Sequence, residues 1–483
     1  MLLCLFTIAC SNYSVDNYKE IDSYPSIYPD YTDITIPYNI APLNFLFTDN
    51  IEQYELLVQG EHGSLKIRGK NAVRFRMSSF KNIVERHKNS TLTITVFVKI
   101  DNEWIKYKPF AWSVSSYPVD NYLTYRLIEP AYEVWNEIQI AERNVSNFTE
   151  RIIAANNMAD GSCMNCHISN KNIPESSFFH IRHQTGGGTV VYQHGELRKI
   201  DTRTENTLSA GVYGSWHPGG RYIAFSTNEI IPEFYSTHDR RMEVYDTSSG
   251  LIILDLERNE VFSAPSIDRA AYFETFPEFS ADGKTLYFCV TDSLTLPEEY
   301  EKLKYSLCAV SFDPESGRIG SKIDTLFDSS LHNKTVSQPR VSPDGKYIMI
   351  TVFEYGTFPV WHPDARLYLI DTQTSEILKL PEVNNNDKYS NSHHSWSSNS
   401  RWFVFASKRD NGMYGKPYFS FIDENGQAHK PFVLPQRNPE FYHYFHKSYN
   451  IPELFSKSNK FNALDVERIF KSKAETVKFV GKE

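Results

Sequence analysis

The chain has 483 residues, 23% of them charged and 41% hydrophobic, and its formal net charge is −9. Two or three domains are expected at this length, each able to bury its own core. The negative charge argues against a nucleic-acid-binding surface, and no apolar run approaches the roughly 20 residues of a membrane-spanning helix. An aromatic content of 14% favours strands, so we expect a mainly β protein.

Residues 1–10, MLLCLFTIAC, form a short apolar segment that ends in small residues before Cys10. The segment resembles a bacterial lipoprotein signal peptide, in which the cysteine after the cleavage site is lipidated. Two features differ from that pattern: no Lys or Arg precedes the apolar run, and Thr7 stands where leucine is usual. We expect a lipid anchor at Cys10, with an ordinary secretory signal or a buried N-terminal strand as the alternatives.

Between residues 30 and 119, short runs such as SLKIRG and TLTITVFVKI alternate apolar and polar residues, and turns such as DNE separate them. This pattern predicts a β-sandwich of the immunoglobulin or fibronectin kind. No catalytic constellation is evident in this region.

The pattern changes between residues 120 and 179. The stretches AYEVWNEIQIAERN and NFTERIIAANN have helical spacing, and the second offers Asn147 as a cap with Glu150 three residues on. We expect a helical connector that carries the next motif on a helix-loop joint between two β-domains.

That motif is GSCMNCHISN, which places Cys163 and Cys166 directly before His167. C-x-x-C-H is the spacing at which two thiols can add to the two vinyl groups of one haem while the histidine ligates the iron. The motif predicts covalently bound haem c, with His167 as the proximal ligand.

Candidates for the second axial ligand lie close by in the sequence. His180 in FHIRH is the preferred candidate and Met158 is the alternative; an open sixth position would instead allow gas or peroxide chemistry. Arg182 could pair with a haem propionate through its fork of donors, although an exposed strand residue is an equal explanation.

Zinc is the competing cofactor. Cys163 and Cys166, followed after thirteen residues by His180-x2-His183, nearly match a Cys2His2 structural site. The His spacing is one residue short, and His167 would have no role. A disulfide or a free dithiol is the remaining alternative.

Residues 180–437 contain a repeat. GSWHPGGRYIAFSTN, PEFSADGKTLYFCVTDS, PRVSPDGKYIMITVF and HSWSSNSRWFVFASK align at Trp216, Phe279, Val341 and Trp396, which are 55 to 63 residues apart. Each continues through a turn, such as ADGK or PDGK, into an apolar strand, and Asp-Gly supplies the positive φ of a tight hairpin. A recurring four-stranded unit of this size predicts a β-propeller with five or six blades.

Histidines recur in the repeats and beyond, and some of them could approach a central channel. They are His217, His362, His393, His394, His443 and His446. A metal-dependent glycan lyase is therefore a third functional hypothesis. Cys289 and Cys308 lie on apolar strands and are expected to be small buried side chains rather than a redox pair.

The S-P-D-G-K repeats resemble the TolB-like, WD40-like repeats of bacterial envelope proteins. ITIPYNIAPLNF, YRLIEPAYEVW, CMNCH, FHIR and SYNIPE together resemble a family of secreted Gram-negative proteins that join a sandwich, a C-x-x-C-H segment and a TolB-like propeller. The resemblance implies a cell-envelope location, periplasmic or lipid-anchored to the outer membrane, but no settled activity. Residues 438–483 end in a lysine-rich tail, expected to be a surface helix or disordered.

The leading hypothesis is thus an exported haem c protein for electron transfer or redox sensing, with a protein partner on the propeller face. The rival is a non-redox envelope scaffold whose C-x-x-C-H segment holds zinc or a disulfide as a structural clip.

Overall fold

The computed structural model describes residues 15–130, 136–183, 187–236, 240–386 and 388–482. Strands make up 50% of the chain and helices 8%, which confirms the prediction of a mainly β protein. The chain forms two compact units: the first holds the residues up to Ser116 together with Pro435–His443, and the second holds Tyr117–Leu434 and Tyr444–Glu483. Cys10 lies outside the described residues.

The first unit contains a seven-stranded sheet, a three-stranded sheet and a helix that packs its apolar face inward. The elements are β1 (Lys19–Glu20), β2 (Ile27–Tyr28), β3 (Ile34–Pro37), β4 (Phe45–Phe47), β5 (Gln53–Gly60), β6 (Gly63–Gly69), β7 (Ala72–Val73), α1 (Met77–Arg86), β8 (Ser90–Ile100), β9 (Glu103–Lys106) and β10 (Phe110–Ser115). Helix α1, which the sequence pattern did not predict, buries Phe80, Ile83 and Val84 at helical spacing.

The second unit is built from antiparallel four-stranded groups. The first group consists of β11 (Tyr122–Ile128), β12 (Ile138–Asn144), β13 (Glu150–Ala155) and the late strand β34 (Ser448–Phe455). The second group consists of β14 (Cys163–Asn170), β15 (Ile173–Arg182), β16 (Gly188–Gln193) and β17 (Glu196–Asp201). The third consists of β18 (Val212–Trp216), β19 (Tyr222–Phe234), β20 (Met242–Asp255) and β21 (Glu260–Ser263).

The fourth group consists of β22 (Tyr272–Phe279), β23 (Thr285–Asp292), β24 (Ser306–Phe312) and β25 (Ile319–Phe327). The fifth consists of β26 (Thr335–Val341), β27 (Tyr347–Phe353), β28 (Arg366–Asp371) and β29 (Ile377–Lys379). The sixth consists of β30 (Asn391–Trp396), β31 (Trp402–Ser407), β32 (Lys416–Phe421) and β33 (Phe432–Val433).

These groups close into a ring. The first strands of successive groups are neighbours, from β14 through β18, β22, β26 and β30 to β34, and β34 also contacts β14. Strand β34 pairs with β11, so the C-terminal part of the chain completes a sheet that the N-terminal part began. Apolar clusters fill the spaces between neighbouring sheets. The fold of this unit is therefore propeller-like.

The predicted turns between first and second strands are confirmed. Gly283 and Gly345 take φ of 74°, and Ser400 takes φ of 58° at the equivalent place. In the ADGK turn, Asp282 Oδ1 accepts hydrogen bonds from Ser280 Oγ at 2.6 Å and from the Lys284 amide at 3.0 Å. Asp344 repeats both bonds in PDGK. The motif is local turn chemistry that sets the strand register.

The predicted helical connector is wrong. The described part of AYEVWNEIQIAERN forms β12 and most of NFTERIIAANN forms β13, while residues 131–135 lie outside the described residues. Both strands bury residues on both faces, because they lie between neighbouring layers, so the two-residue alternation of a half-exposed strand is lost. The C-x-x-C-H motif likewise lies on strand β14 and not on a helix-loop joint.

The C-terminal tail is ordered and combines helix with strand. Helix α4 (Ala463–Lys471) begins with a capping box between Asn462 and Asp465 and buries Val466 and Phe470. Strands β35 (Glu475–Thr476) and β36 (Lys478–Lys482) then pair in parallel with the outer strands β17 and β21.

Two further short helices are α2 (Ser329–His332) and α3 (Phe441–Tyr444). Among the described residues, no helix is long and apolar enough to cross a membrane.

Candidate functional site

The first strands of the ring share one backbone feature. Each has a non-glycine residue with φ between 46° and 57°, and each of these positions coincides with a shift in the pairing register. The residues are Cys166, Tyr213, Phe276, Gln338, His393 and Ile451. Such left-handed bulges cost about 1–3 kcal/mol each and concentrate at functional sites.

All six bulge residues line one central cavity of about 120 Å³. Neighbouring members contact one another: the rings of Tyr213 and Phe276 lie 4.5 Å apart, and Gln338 Nε2 lies 3.1 Å from Nδ1 of His393. The repeated bulge therefore builds a layer of side chains across the channel, and this cavity is the candidate site.

His167 follows the bulge residue Cys166 and also lines the cavity. Its side chain is 4% exposed, and neither ring nitrogen makes a hydrogen bond. Burial lowers the pKa of His167 to about 3, opposed by the backbone of Thr124 and Ile451 and reinforced by the charge of Arg126. His167 is thus a buried, neutral imidazole in the cavity wall, close to the backbone of Thr124 and Ile451.

His393 and His394 lie in the same cavity, but each has a partner. The backbone amide of His393 donates to Gln338 Oε1 at 2.9 Å, and Nε2 of His394 lies 3.0 Å from the Met349 carbonyl oxygen. Burial lowers the pKa of both imidazoles to about 3. His394 is thus anchored through Nε2 and His393 through its contacts with Gln338, whereas neither ring nitrogen of His167 makes such a bond.

Charged side chains form the next layer. Arg340 donates from Nη2 to Glu453 Oε2 at 2.9 Å, and Glu278 accepts from the Val341 amide at 3.0 Å. Burial raises the pKa of Glu453 to about 7, opposed by Arg340 and reinforced by Glu278. Burial also raises the pKa of Glu278. The guanidinium of Arg340 therefore pairs with Glu453 and lies near a second carboxyl group, that of Glu278.

The two motif cysteines are free and lie in different surroundings. Cys166 is buried in the cavity wall, and burial raises the pKa of its thiol, partly offset by Arg182 and the Tyr213 amide. Cys163 is half-buried against the apolar cluster between the first two sheets. The disulfide alternative is not formed in this structure.

The structure does not bring His180, Arg182 and Met158 into the cavity that His167 lines. His180, on β15, lies opposite Asn165 and packs against Phe178 and Phe225, and its Nδ1 lies 3.0 Å from Thr189 Oγ1. Its Nε2 is buried without a partner.

Arg182 is exposed at the end of β15, opposite Cys163. Met158 is half-buried in a short 3₁₀ helix, Asn156–Ala159, that packs against α4. As for zinc, no three His, Cys, Asp or Glu side chains in the described ranges are grouped as a metal site requires.

The remaining predicted histidines lie outside the cavity. His217 Nε2 lies 3.1 Å from the Gly283 carbonyl oxygen, and His362 Nε2 lies 3.1 Å from Glu243 Oε2. His443 stacks on Tyr28, and His446 on Tyr414. Cys289 and Cys308 are buried, as predicted, and both are free thiols.

Sequence reasoning missed most of the cavity wall. Arg126, Tyr213, Gln338, Arg340, Glu453 and Asn450 were not singled out, although all line the cavity. A signal was present: Tyr213, Phe276, Gln338 and His393 each stand three residues before one of the aligned positions from Trp216 to Trp396. The positive φ at these positions, which places all four residues in the cavity wall, is visible only in the structure.

Comparisons with known proteins give no family. No family model matches the chain, and no curated protein matches it. Among solved structures, prolyl oligopeptidase B from Galerina marginata is 12% identical with a TM-score of 0.35 over 74% of this chain, which spans about half (47%) of that chain. A hypothetical selenium-binding protein from Sulfolobus tokodaii is 10% identical with a TM-score of 0.38, over 86% of this chain and 96% of that one.

A GH43 endo-arabinanase from Bacillus licheniformis is 12% identical with a TM-score of 0.30, over 54% of this chain and 94% of that one. Similarity at this level transfers no activity.

Proposed function

We propose that the protein is an exported haem c protein that transfers electrons or senses redox state, and that the channel around His167 is its working site. The observation that carries the proposal is the state of His167: a buried, neutral imidazole whose two nitrogens have no partner. A buried polar group without a partner costs about 1–3 kcal/mol, so a bound ligand is the natural way to satisfy it.

The donor set fits haem c. The neutral imidazole of His167 is the form that ligates iron, and both thiols of Cys163 and Cys166 are free for thioether bonds. When bound, the haem would supply a one-electron redox centre whose potential depends on its axial ligands and their surroundings. Burial of His167 holds the imidazole deprotonated.

The volume of the cavity sets the strictest requirement on haem binding. The cavity of about 120 Å³ is smaller than the roughly 300 Å³ at which small-molecule sites usually begin. Haem attachment therefore requires strand β14 and its neighbours to part. In the closed structure β14 pairs with β15 along its length and contacts β34 on the other side. Opening would break these β14–β15 hydrogen bonds, so it should be visible as faster amide hydrogen exchange in β14.

The test is the visible spectrum of protein expressed with periplasmic haem-maturation machinery. The wild type should be red and gain one haem mass that survives acid-acetone extraction, and Cys163→Ala with Cys166→Ala should abolish the gain. Cys289→Ala with Cys308→Ala is the matched control, because these two cysteines lie in apolar clusters away from the cavity. A colourless wild type overturns the haem proposal.

A second candidate is a non-redox envelope scaffold that binds a small ligand in the channel. The small volume of the cavity favours it, since a ligand of that size needs no strand separation. A colourless wild type with stoichiometric zinc would assign the C-x-x-C-H segment to a structural metal instead.

The finer architecture and location are part of the same proposal. We take the four-stranded groups as six blades, the first unit as a sandwich, and Cys10 as the point of lipid attachment in the cell envelope. Palmitate labelling should follow Cys10, and Cys10→Ser should release the protein from membranes. Equal release of wild type and variant would contradict the anchor.

A further inference from the structure

A smaller cavity of about 50 Å³ adjoins the central one and is lined by residues of the same channel. Arg126, Phe358, His393 and Asn450 belong to the walls of both cavities. Lys408 and Trp361 complete the smaller one on its far side. The two cavities therefore share a wall, and Lys408 and Arg126 both line the smaller one.

Lys408 is unlike the other buried lysines of this unit. Lys408 is 5% exposed, its Nζ makes no hydrogen bond, and the amine lies over the indole ring of Trp361. By contrast, Lys416 donates to Asp410 Oδ2 at 2.5 Å, and Lys199 donates to the Phe470 carbonyl at 2.6 Å. Burial lowers the pKa of Lys408 well below its usual value.

Arg126 is the second cation without a carboxylate partner. It donates to Asn450 Oδ1 at 2.9 Å and to the Met164 carbonyl at 3.3 Å, while its Nε is buried and unpartnered. Arg340, in the same channel, has Glu453 instead. Burial lowers the pKa of Arg126.

Among the described residues, the other ionisable groups of the smaller cavity form no ion pair with Lys408 or Arg126. Glu129, which also lines the cavity, has one buried oxygen without a partner and, among the described residues, forms no ion pair with Lys408 or Arg126. His393 is held neutral by burial, and Tyr449 packs on Tyr125.

We propose that this part of the channel binds the carboxylate of a small molecule between Lys408 and Arg126, with the apolar body of the ligand against Trp361 and Phe358. A buried amine and a buried guanidinium nitrogen without hydrogen-bond partners are costly, and a carboxylate offers both groups charge-assisted hydrogen bonds. Trp361 and Phe358 supply the apolar wall that such sites usually have. The cavity size limits the ligand to a few carbon atoms.

This inference is independent of haem and is tested first with propionate. Propionate should bind the purified protein in calorimetry and raise its unfolding temperature, because a ligand that binds only the folded state stabilises it. Propionamide, which has the same shape without the charge, should do neither. Equal effects of the two compounds, or none from propionate, would overturn the proposal.

The variant test uses Lys408→Met, which keeps the chain length and removes the amine. It should weaken propionate binding by about tenfold or more, the loss expected for a hydrogen bond to a charged group. It should also raise the unfolding temperature of the ligand-free protein, because an unpaired buried amine is removed. Lys322→Met, at an exposed position of β25, is the matched control and should bind propionate as the wild type does.

A structural role for Lys408 predicts the reverse, a less stable variant with unchanged propionate binding. Comparing protein expressed with and without haem-maturation machinery tests the carboxylate site separately from the haem proposal. Propionate binding by both forms supports the proposal. Binding lost in the haem-loaded form alone would mean that haem propionates occupy the two cations, which overturns a site for a free carboxylate.

Discussion

Arg340 and Glu453 occupy the same position of their respective first strands, two residues after the bulge, and join across the channel through a 2.9 Å hydrogen bond. Together with Glu278 they belong to the walls of two cavities, the central one of about 120 Å³ and a second of about 110 Å³ on the side of the Asp-Gly turns. The cluster therefore separates the two halves of the channel.

Glu453 should make stability depend on pH. Burial raises its pKa to about 7 in the folded protein, whereas an unfolded glutamate titrates near about 4.3. The folded state thus binds the proton more tightly, and the contribution of this group to stability falls as pH rises from about 4 to about 7. Urea unfolding across that range should show the fall in the wild type and lose it in Glu453→Gln.

Glu382→Gln, at an exposed position, is the control for that experiment and should leave the pH profile unchanged. If Glu453→Gln retains the wild-type profile, another group causes the dependence.

His167 and His394 should respond differently to the same substitution. His394→Leu loses the bond to the Met349 carbonyl and should cost about 1–3 kcal/mol of unfolding free energy. His167→Leu replaces an imidazole whose two nitrogens make no hydrogen bond with an apolar side chain of similar bulk. The free energy of unfolding should therefore stay within about 1 kcal/mol of the wild-type value or rise. Denaturant titration measures both, and a large loss in His167→Leu would mean that the imidazole has a partner in solution.

The four described cysteines should differ in their reactivity toward iodoacetamide. Cys163 is half-buried, whereas Cys166, Cys289 and Cys308 are buried and their thiol pKa values are raised by burial. Because the thiolate is the nucleophile, native protein at pH 8 should be alkylated first at Cys163. Peptide mass mapping over time gives the order, and equal labelling of Cys166 would show that the channel opens readily.

The C-terminal helix should contribute measurably to the stability of the second unit. Phe470 is 8% exposed and packs in the cluster between the first two sheets, so Phe470→Ala should cost about 3–5 kcal/mol. Leu464 of the same helix is 70% exposed, and Leu464→Ala should change the unfolding free energy by no more than about 0.5 kcal/mol. Similar losses in both variants would indicate a general effect of disturbing the helix.

The sequence by itself determined what depends on neighbouring residues. Asp282-Gly283 and Asp344-Gly345 predict their turns because the carboxylate bonds and the positive φ are local. The repeat period and aromatic content predict a mainly β, propeller-like unit for the same reason. The C-x-x-C-H spacing identifies His167 as a candidate ligand without any tertiary information.

Only the tertiary structure decided which residues share the channel. Strand β12 has helical spacing in sequence but is a strand because β11 and β13 pair with it and neighbouring layers cover both of its faces. Arg126 and Asn450 meet from sequence positions 324 residues apart, because the late strand β34 completes the first sheet. Lys408 and Arg126 line one cavity for the same reason: ring closure is a long-range pairing, which no local pattern of side chains encodes.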